Sequence, residues 1–314
     1  MKKFLSLFLA LLLLLPLAAC GGGEKDGKIQ VVCTSFAAYD WVRVLTAGRA
    51  DRYEITYLLD NGIDIHSYEP STADVARIAD CDLFLYVGGA AEDAWVSDVL
   101  ALSGDGTRRA LSLLSLLGDA VICLDGDAHD HADHAHASDE HVWLSLKNAQ
   151  VLCTAIADAL SSLDPDGAAV YDESLDSYLD ALGALDLRYA EAVAAAKTDT
   201  LVLADRHPFR YLARDYGLSV VAAFDGCTTD ATATFETPIR LAQAIDQGDI
   251  HTVLILDHGD DALARTAISH TATGDQSICS LTSLQSVKKS ELDGTLTYLS
   301  AMEENLAVLT AALN

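Results

Sequence analysis

Apolar residues along the chain fall into short continuous runs separated by amphipathic stretches, and the alternation is regular. "IQVVCTSF" (29–36) reads as a strand buried on both faces, followed by a helix carrying Tyr39, Trp41, Val42 and Leu45 at helical spacing. "YEITYLL" predicts the next strand, "STADVARIADC" a helix capped by Ser71 or Thr72, "DLFLYVG" a strand, "DAWVSDVLALS" a helix and "AVICLDG" another strand. "SLKNAQVLCTAIADALSSL" predicts a helix that stops at Asp164-Pro165. Residues 165–197 predict one long helix with Leu175, Tyr178, Leu179, Leu182, Leu185 and Tyr189 on its apolar side and no breaker except Gly183. The pattern then repeats. Strands "TLVLAD", "LSVVAAF", "TVLILD" and "SICSL" alternate with helices "FRYLARDYG", "TPIRLAQAIDQG" and "DALARTAISHT", and a last helix runs over about 293–313. This rhythm predicts an α/β fold of two lobes, each a mainly parallel sheet flanked by helices, joined by one long rigid helix. The expected segments are a first lobe over 29–164, a linking helix over 165–197 and a second lobe over 198–314.

The first residues do not belong to that fold. Two lysines precede an apolar run over 4–15, which is shorter than the ~20 residues that span a bilayer and reads as an export signal over 1–19. Its end, Leu17-Ala18-Ala19-Cys20, resembles the bacterial lipobox, which implies cleavage before Cys20 and lipid on that cysteine. Residues 20–28, rich in glycine and charge, are then a tether. The location expected is the extracytoplasmic face of the cell membrane.

Composition narrows the partners. The formal charge of −27, more negative still once Lys2 and Lys3 leave with the signal, disfavours nucleic acid and is compatible with a cation as ligand. Six cysteines other than Cys20 show no C-x-x-C spacing and read as structural thiols or disulfides, with Cys227 and Cys279 the first pair to consider.

Four strand-to-helix junctions carry an imidazole: His66 in "DNGIDIHSYEPS", His141 in "SDEHVWLS", His207 after Asp205 in "LADRHPFRY", and His258 after Asp257 in "LILDHGDD". Ligand groups belong at such junctions in parallel α/β lobes. Pro208 suits a first helical position there. Between residues 127 and 137, His129, His131, His134 and His136 alternate with alanine and aspartate and have no large apolar neighbour, so the stretch reads as a collector loop rather than a core.

The stretches "VVCTSFAAYDWVRVLTAG", "GIDIHSYEPSTADVARIADCDLFLYVGG", "DEHVWLSLKNA", "DRHPFRYLARDYGL" and the C-terminal "LTSLQSVKKSELDGTLTYLSAMEENLAVLTAALN" resemble landmarks of the zinc- and manganese-binding solute-binding lipoproteins of ABC importers. The resemblance covers the mature chain. It implies capture of Zn2+, with Mn2+ as the less favoured alternative, in an interlobe cleft, and delivery to an ABC permease and its ATPase by a monomeric carrier that is not an enzyme. It implies His66 and His141 as first-lobe ligands and His207 and Asp257 as second-lobe ligands, with His258 an alternate. In most relatives the third histidine stands where this chain has Arg206, one place before His207. Ile65 and Glu140 replace residues that are often proline, changes expected to alter loop rigidity more than ligand identity. The histidines of 127–137 imply an auxiliary zinc collector, typical of the zinc-specific branch. Three imidazoles and a carboxylate suit zinc better than manganese. An exported zinc hydrolase is the rival reading, against which stand the lack of H-E-x-x-H and G-x-S-x-G; a metal-binding adhesin is a third.

Overall fold

The computed structural model describes residues 27–102, 108–124, 137–226, 233–292 and 295–314. Cys20, His129, His131, His134, His136 and Cys227 lie outside the described residues, and with them the lipid anchor, the collector loop and the Cys227–Cys279 pairing.

The first half runs β1 (Ile29–Cys33), α1 (Phe36–Leu45), β2 (Tyr53–Tyr57), α2 (Thr72–Asp80), β3 (Leu83–Tyr86), α3 (Ala90–Ala101), β4 (Arg109–Ser112), α4 (Leu113–Leu117), β5 (Cys123–Leu124), β6 (Ala137–Ser138) and α5 (Leu146–Leu163). A single helix, α6 (Ala168–Ala194), leads to β7 (Thr200–Arg206), α7 (Arg210–Tyr216), β8 (Ser219–Phe224), α8 (Glu236–Gly248), β9 (Thr252–Leu256), α9 (Ala262–Ser269), β10 (Ser277–Leu281) and α10 (Tyr298–Ala312). Both four-stranded sheets are parallel, in the orders β2-β1-β3-β4 and β10-β9-β7-β8. Each order reverses once, between β1 and β3 and between β7 and β9, which opens a crevice at the carboxyl ends of the strands.

Continuous apolar runs are buried as expected, since a strand covered by helices on both faces has no solvent side. Ser71 caps α2 and forms a reciprocal capping box with Asp74. Three expectations need correction. The strand after β3 is the four-residue β4, half-buried at the sheet edge, whereas the "AVICLDG" run forms only the short β5, antiparallel to β6. The backbone N–H of Ile122 in that run donates to the Tyr211 hydroxyl (3.0 Å), tying it to the second half instead of the sheet. The helix after β7 starts at Arg210, behind Phe209, so Pro208 lies in the turn. The last helix starts at Tyr298, capped by Thr297, not near 293.

The two halves share a core. One cluster of buried side chains runs from Val31 and Phe84 through Trp41, Trp143, Leu182 and Tyr189 to Leu203, Leu254 and Leu309. α6 packs against α1 and α5 of the first half and α7 and α10 of the second. Polar contacts cross the seam as well: Trp143 Nε1–H donates to the Ser283 carbonyl (2.9 Å), the Tyr298 hydroxyl to the Trp143 carbonyl (2.6 Å) and the Tyr211 hydroxyl to the Asp139 carbonyl (2.8 Å). No helix among the described residues is long and apolar enough to cross a membrane.

Candidate metal centre

His66 lies in a 3-10 turn, Ile65–Ser67, between β2 and α2, and the turn is set by Asp64. Asp64 Oδ1 accepts the backbone N–H of His66 (3.0 Å) and lies 2.7 Å from its ring Nδ1. His141 repeats the arrangement after β6: Asp139 Oδ1 accepts its backbone N–H (2.9 Å) and lies 2.8 Å from its Nδ1. An ionised carboxylate only accepts, so Nδ1 carries a hydrogen in both rings, and in the neutral form of each ring the lone pair is on Nε2. This carboxylate–imidazole pairing is the one that orients metal-binding histidines and raises their basicity. The two rings are 5.1 Å apart between centroids.

Burial opposes ionisation of Asp64, but hydrogen bonds from the His66 ring and backbone, with the His66 and Arg206 charges, outweigh it and hold the carboxyl at about 2. Asp139 is shifted in the same direction: burial works against ionisation, and the His141 ring, its charge, its N–H and Arg210 work more strongly for it. Arg206 Nη1 donates to Asp64 Oδ2 (3.0 Å), so it braces the aspartate that orients His66 and links the two halves.

His207 has the same D-x-H spacing with a different outcome. Strand β7 continues to Arg206, so Asp205 cannot turn back on His207; its Oδ1 accepts the Arg206 N–H (2.8 Å) instead. His207 is buried, and its Nδ1 has no hydrogen-bond partner. Burial, with the Arg210 charge next, lowers its pKa to about 4. The ring is therefore neutral at neutral pH, the form in which a histidine ligates.

Asp257 and His258 diverge. A turn closed by the Gly259 N–H donating to the Leu256 carbonyl (3.1 Å) puts His258 in left-handed backbone (φ 61°), and its Nε2 lies 3.6 Å from Glu291 Oε1. Asp257 lines the open cleft with Asp64, Asp205 and Arg206, but its carboxylate accepts from the Thr282 hydroxyl (2.6 Å), the Ser283 N–H (2.9 Å) and the Ser283 hydroxyl (3.1 Å). His141 Nε2 stands 3.1 Å from the Gln285 side-chain amide. Among the described residues, no three His, Cys, Asp or Glu side chains form a ready-made metal cluster.

Four residues absent from the sequence-based set stand at this centre. Asp64 and Asp139 were signalled by the repeated D-x-H. Gln285 carried no signal, being 144 positions from the histidine it meets. Glu140 was expected to alter loop rigidity more than ligand identity, and its Oε2 lies 3.4 Å from His66 Nε2.

A family model described as "Zinc-uptake complex component A periplasmic" (ZnuA) matches residues 31–312. The chain is 32% identical over 316 residues to the zinc-binding lipoprotein AdcA of Streptococcus pneumoniae, covering 98% of this chain and 60% of that protein. It is 27% identical to the high-affinity zinc uptake system protein ZnuA of Bacillus subtilis, covering 99% and 98%. The chain thus spans about 60% of the length of the pneumococcal relative. Among solved structures, the Zn(II)-bound ZnuA-like domain of S. pneumoniae AdcA has a TM-score of 0.73 at 28% identity, covering 91% of this chain and 99% of that one. With the match running through both sheets and the helix between them, the chain belongs to the ZnuA family of zinc-uptake component A proteins.

Proposed function

We propose that the protein captures Zn2+ in the crevice between the two sheets and hands it to a membrane importer. The observation that carries this reading is the pair of D-x-H units, which aim two Nε2 lone pairs from rings 5.1 Å apart. His66 and His141 supply two nitrogen donors and the neutral, buried His207 a third. A carboxylate from the cleft closes the shell, with Asp257 the residue the sequence nominates and His258 its alternate. Three imidazoles and one oxygen make a tetrahedral zinc site, and imidazole disfavours manganese. A shell closed by protein groups suits a carrier; a hydrolase keeps an exchangeable water.

The partners of this reading are an ABC permease and its ATPase, met by a monomer tethered through lipid on Cys20 at the extracytoplasmic face. The histidines of residues 127–137 act as a weak zinc collector. The zinc-binding names of relatives over nearly the whole chain support this reading over an enzyme or an adhesin.

Zinc titration by calorimetry tests it. The expected result is one tightly bound ion, lost with His66→Ala or His141→Ala and kept when residues 127–137 are deleted. His270→Ala, at the exposed end of α9, serves as the control. Tight zinc binding that survives in the His66→Ala/His141→Ala double variant refutes the site.

A further inference from the structure

We infer that Glu140 is a direct zinc ligand and that it, not Asp257, supplies the carboxylate of the shell. This rests on the zinc-capture reading above and names its fourth donor.

Glu140 is hydrogen-bonded at one oxygen and not at the other. Its Oε1 accepts the Ala91 N–H (2.9 Å) in the first turn of α3, where unpaired amides and the helix dipole favour an anion. Its Oε2 has no hydrogen-bond partner, although the side chain is only 7% exposed. That oxygen points at His66 Nε2, 3.4 Å away. With Asp64 holding a hydrogen on Nδ1, the neutral His66 ring turns a nitrogen lone pair toward the Glu140 carboxylate oxygen. A cation between them satisfies both.

The spacing fits that cation. With bonds of about 2.0–2.1 Å in a tetrahedral shell, neighbouring donor atoms are ~3.3 Å apart, and two imidazoles on one zinc have centroids about 5 Å apart. The observed values are 3.4 Å for His66 Nε2 to Glu140 Oε2 and 5.1 Å for His66 to His141.

The chain makes room for this side chain. A Cβ at Gly89, whose φ is +87°, would stand 2.5 Å from Glu140 Oε1 and 2.7 Å from its Cγ, so a glycine is required where Glu140 crosses the start of α3. Asp257 is the reverse case. Its three hydrogen bonds from Thr282 and Ser283 satisfy it where it stands, and ligation would break some of them. Three of the four donors after this assignment, His66, His141 and Glu140, come from the first half, and His207 alone reaches in from the second.

The test compares zinc affinity, by competition with a chromophoric chelator, for wild type, Glu140→Gln and Asp257→Asn, each checked for cooperative unfolding without zinc. Glu140→Gln keeps an acceptor for the Ala91 N–H. It is expected to weaken zinc by more than the ~10–100-fold that an outer-shell change costs, while Asp257→Asn loses less than ~10-fold. X-ray absorption on zinc-loaded Asp257→Asn is expected to keep one oxygen among the nitrogen donors. Unchanged affinity in Glu140→Gln, or loss of tight binding and of the oxygen donor in Asp257→Asn, overturns the assignment. Should Glu140→Gln fail to fold, Glu140→Asp, whose shorter side chain withdraws the oxygen from His66, takes its place under the same affinity criterion. A wild-type protein that binds no zinc refutes the function itself, which separates that failure from this one.

Discussion

Asp64 Oδ1 receives both the backbone N–H and the ring Nδ1–H of His66, and Asp139 does the same for His141, so each aspartate fixes tautomer and direction together. Close by, Glu92 illustrates a carboxyl with no such help. It is fully buried in the first turn of α3; the Gly88 N–H donates to its Oε2 (2.7 Å), and its Oε1 lacks a partner. Burial pushes its pKa up to about 7, against the pull of Thr34 and the Gly88 N–H, and the Glu140 charge adds to the rise. A carboxyl raised on folding favours the native state fully below its ordinary value of 4.5, and that contribution fades as pH climbs through about 7. Zinc-free wild type should therefore lose on the order of 3 kcal/mol relative to Glu92→Gln between pH 5 and pH 8. Urea unfolding of both proteins at the two pH values measures this; a constant difference between them refutes it. The histidines of the centre were legible because each sits in a quotable motif. Glu140 was not, because its place before His141 says nothing about direction until the Gly89 turn and the Ala91 N–H are seen around it.

Elements with uninterrupted apolar runs, β1, β3, β7 and β9, were readable from pattern alone, since burial on both faces leaves no other composition possible. β4 was not. Its four residues begin with an exposed arginine at a sheet edge, where half the strand needs no apolar side chain. The "AVICLDG" run misled for the complementary reason: its apolar residues pack on the shared core without joining the parallel sheet. α6 was expected from its length and spacing, and it carries one removable weakness. Gly183 lies in the helix interior with open space around its missing side chain. Gly183→Ala should stabilise the protein by about 0.5–1 kcal/mol, through the lower entropy of its unfolded chain, and leave zinc affinity unaltered. A thermal midpoint that fails to rise would show that the backbone there is not free to take a methyl.

At the scale of the molecule, two sheets with separate topologies would ordinarily be two folding units, and a chain of this size commonly departs from all-or-none unfolding. The larger buried cluster runs from Val31 through α6 to Leu309, with Trp143, Tyr211 and Tyr298 bonded across the seam, and couples the halves; a second cluster around Val202, Leu241 and Val253 belongs to the second half alone. Scanning calorimetry of the zinc-free protein should therefore show one endotherm whose van't Hoff and calorimetric enthalpies agree; two resolved peaks would contradict the continuous core. The same continuity has a use beyond rigidity. If the halves melt together, an ion bound at the proposed centre stabilises to the same degree every segment that opens only by global unfolding. Resistance to a protease at a site buried in the shared core then reports how much of the protein is loaded.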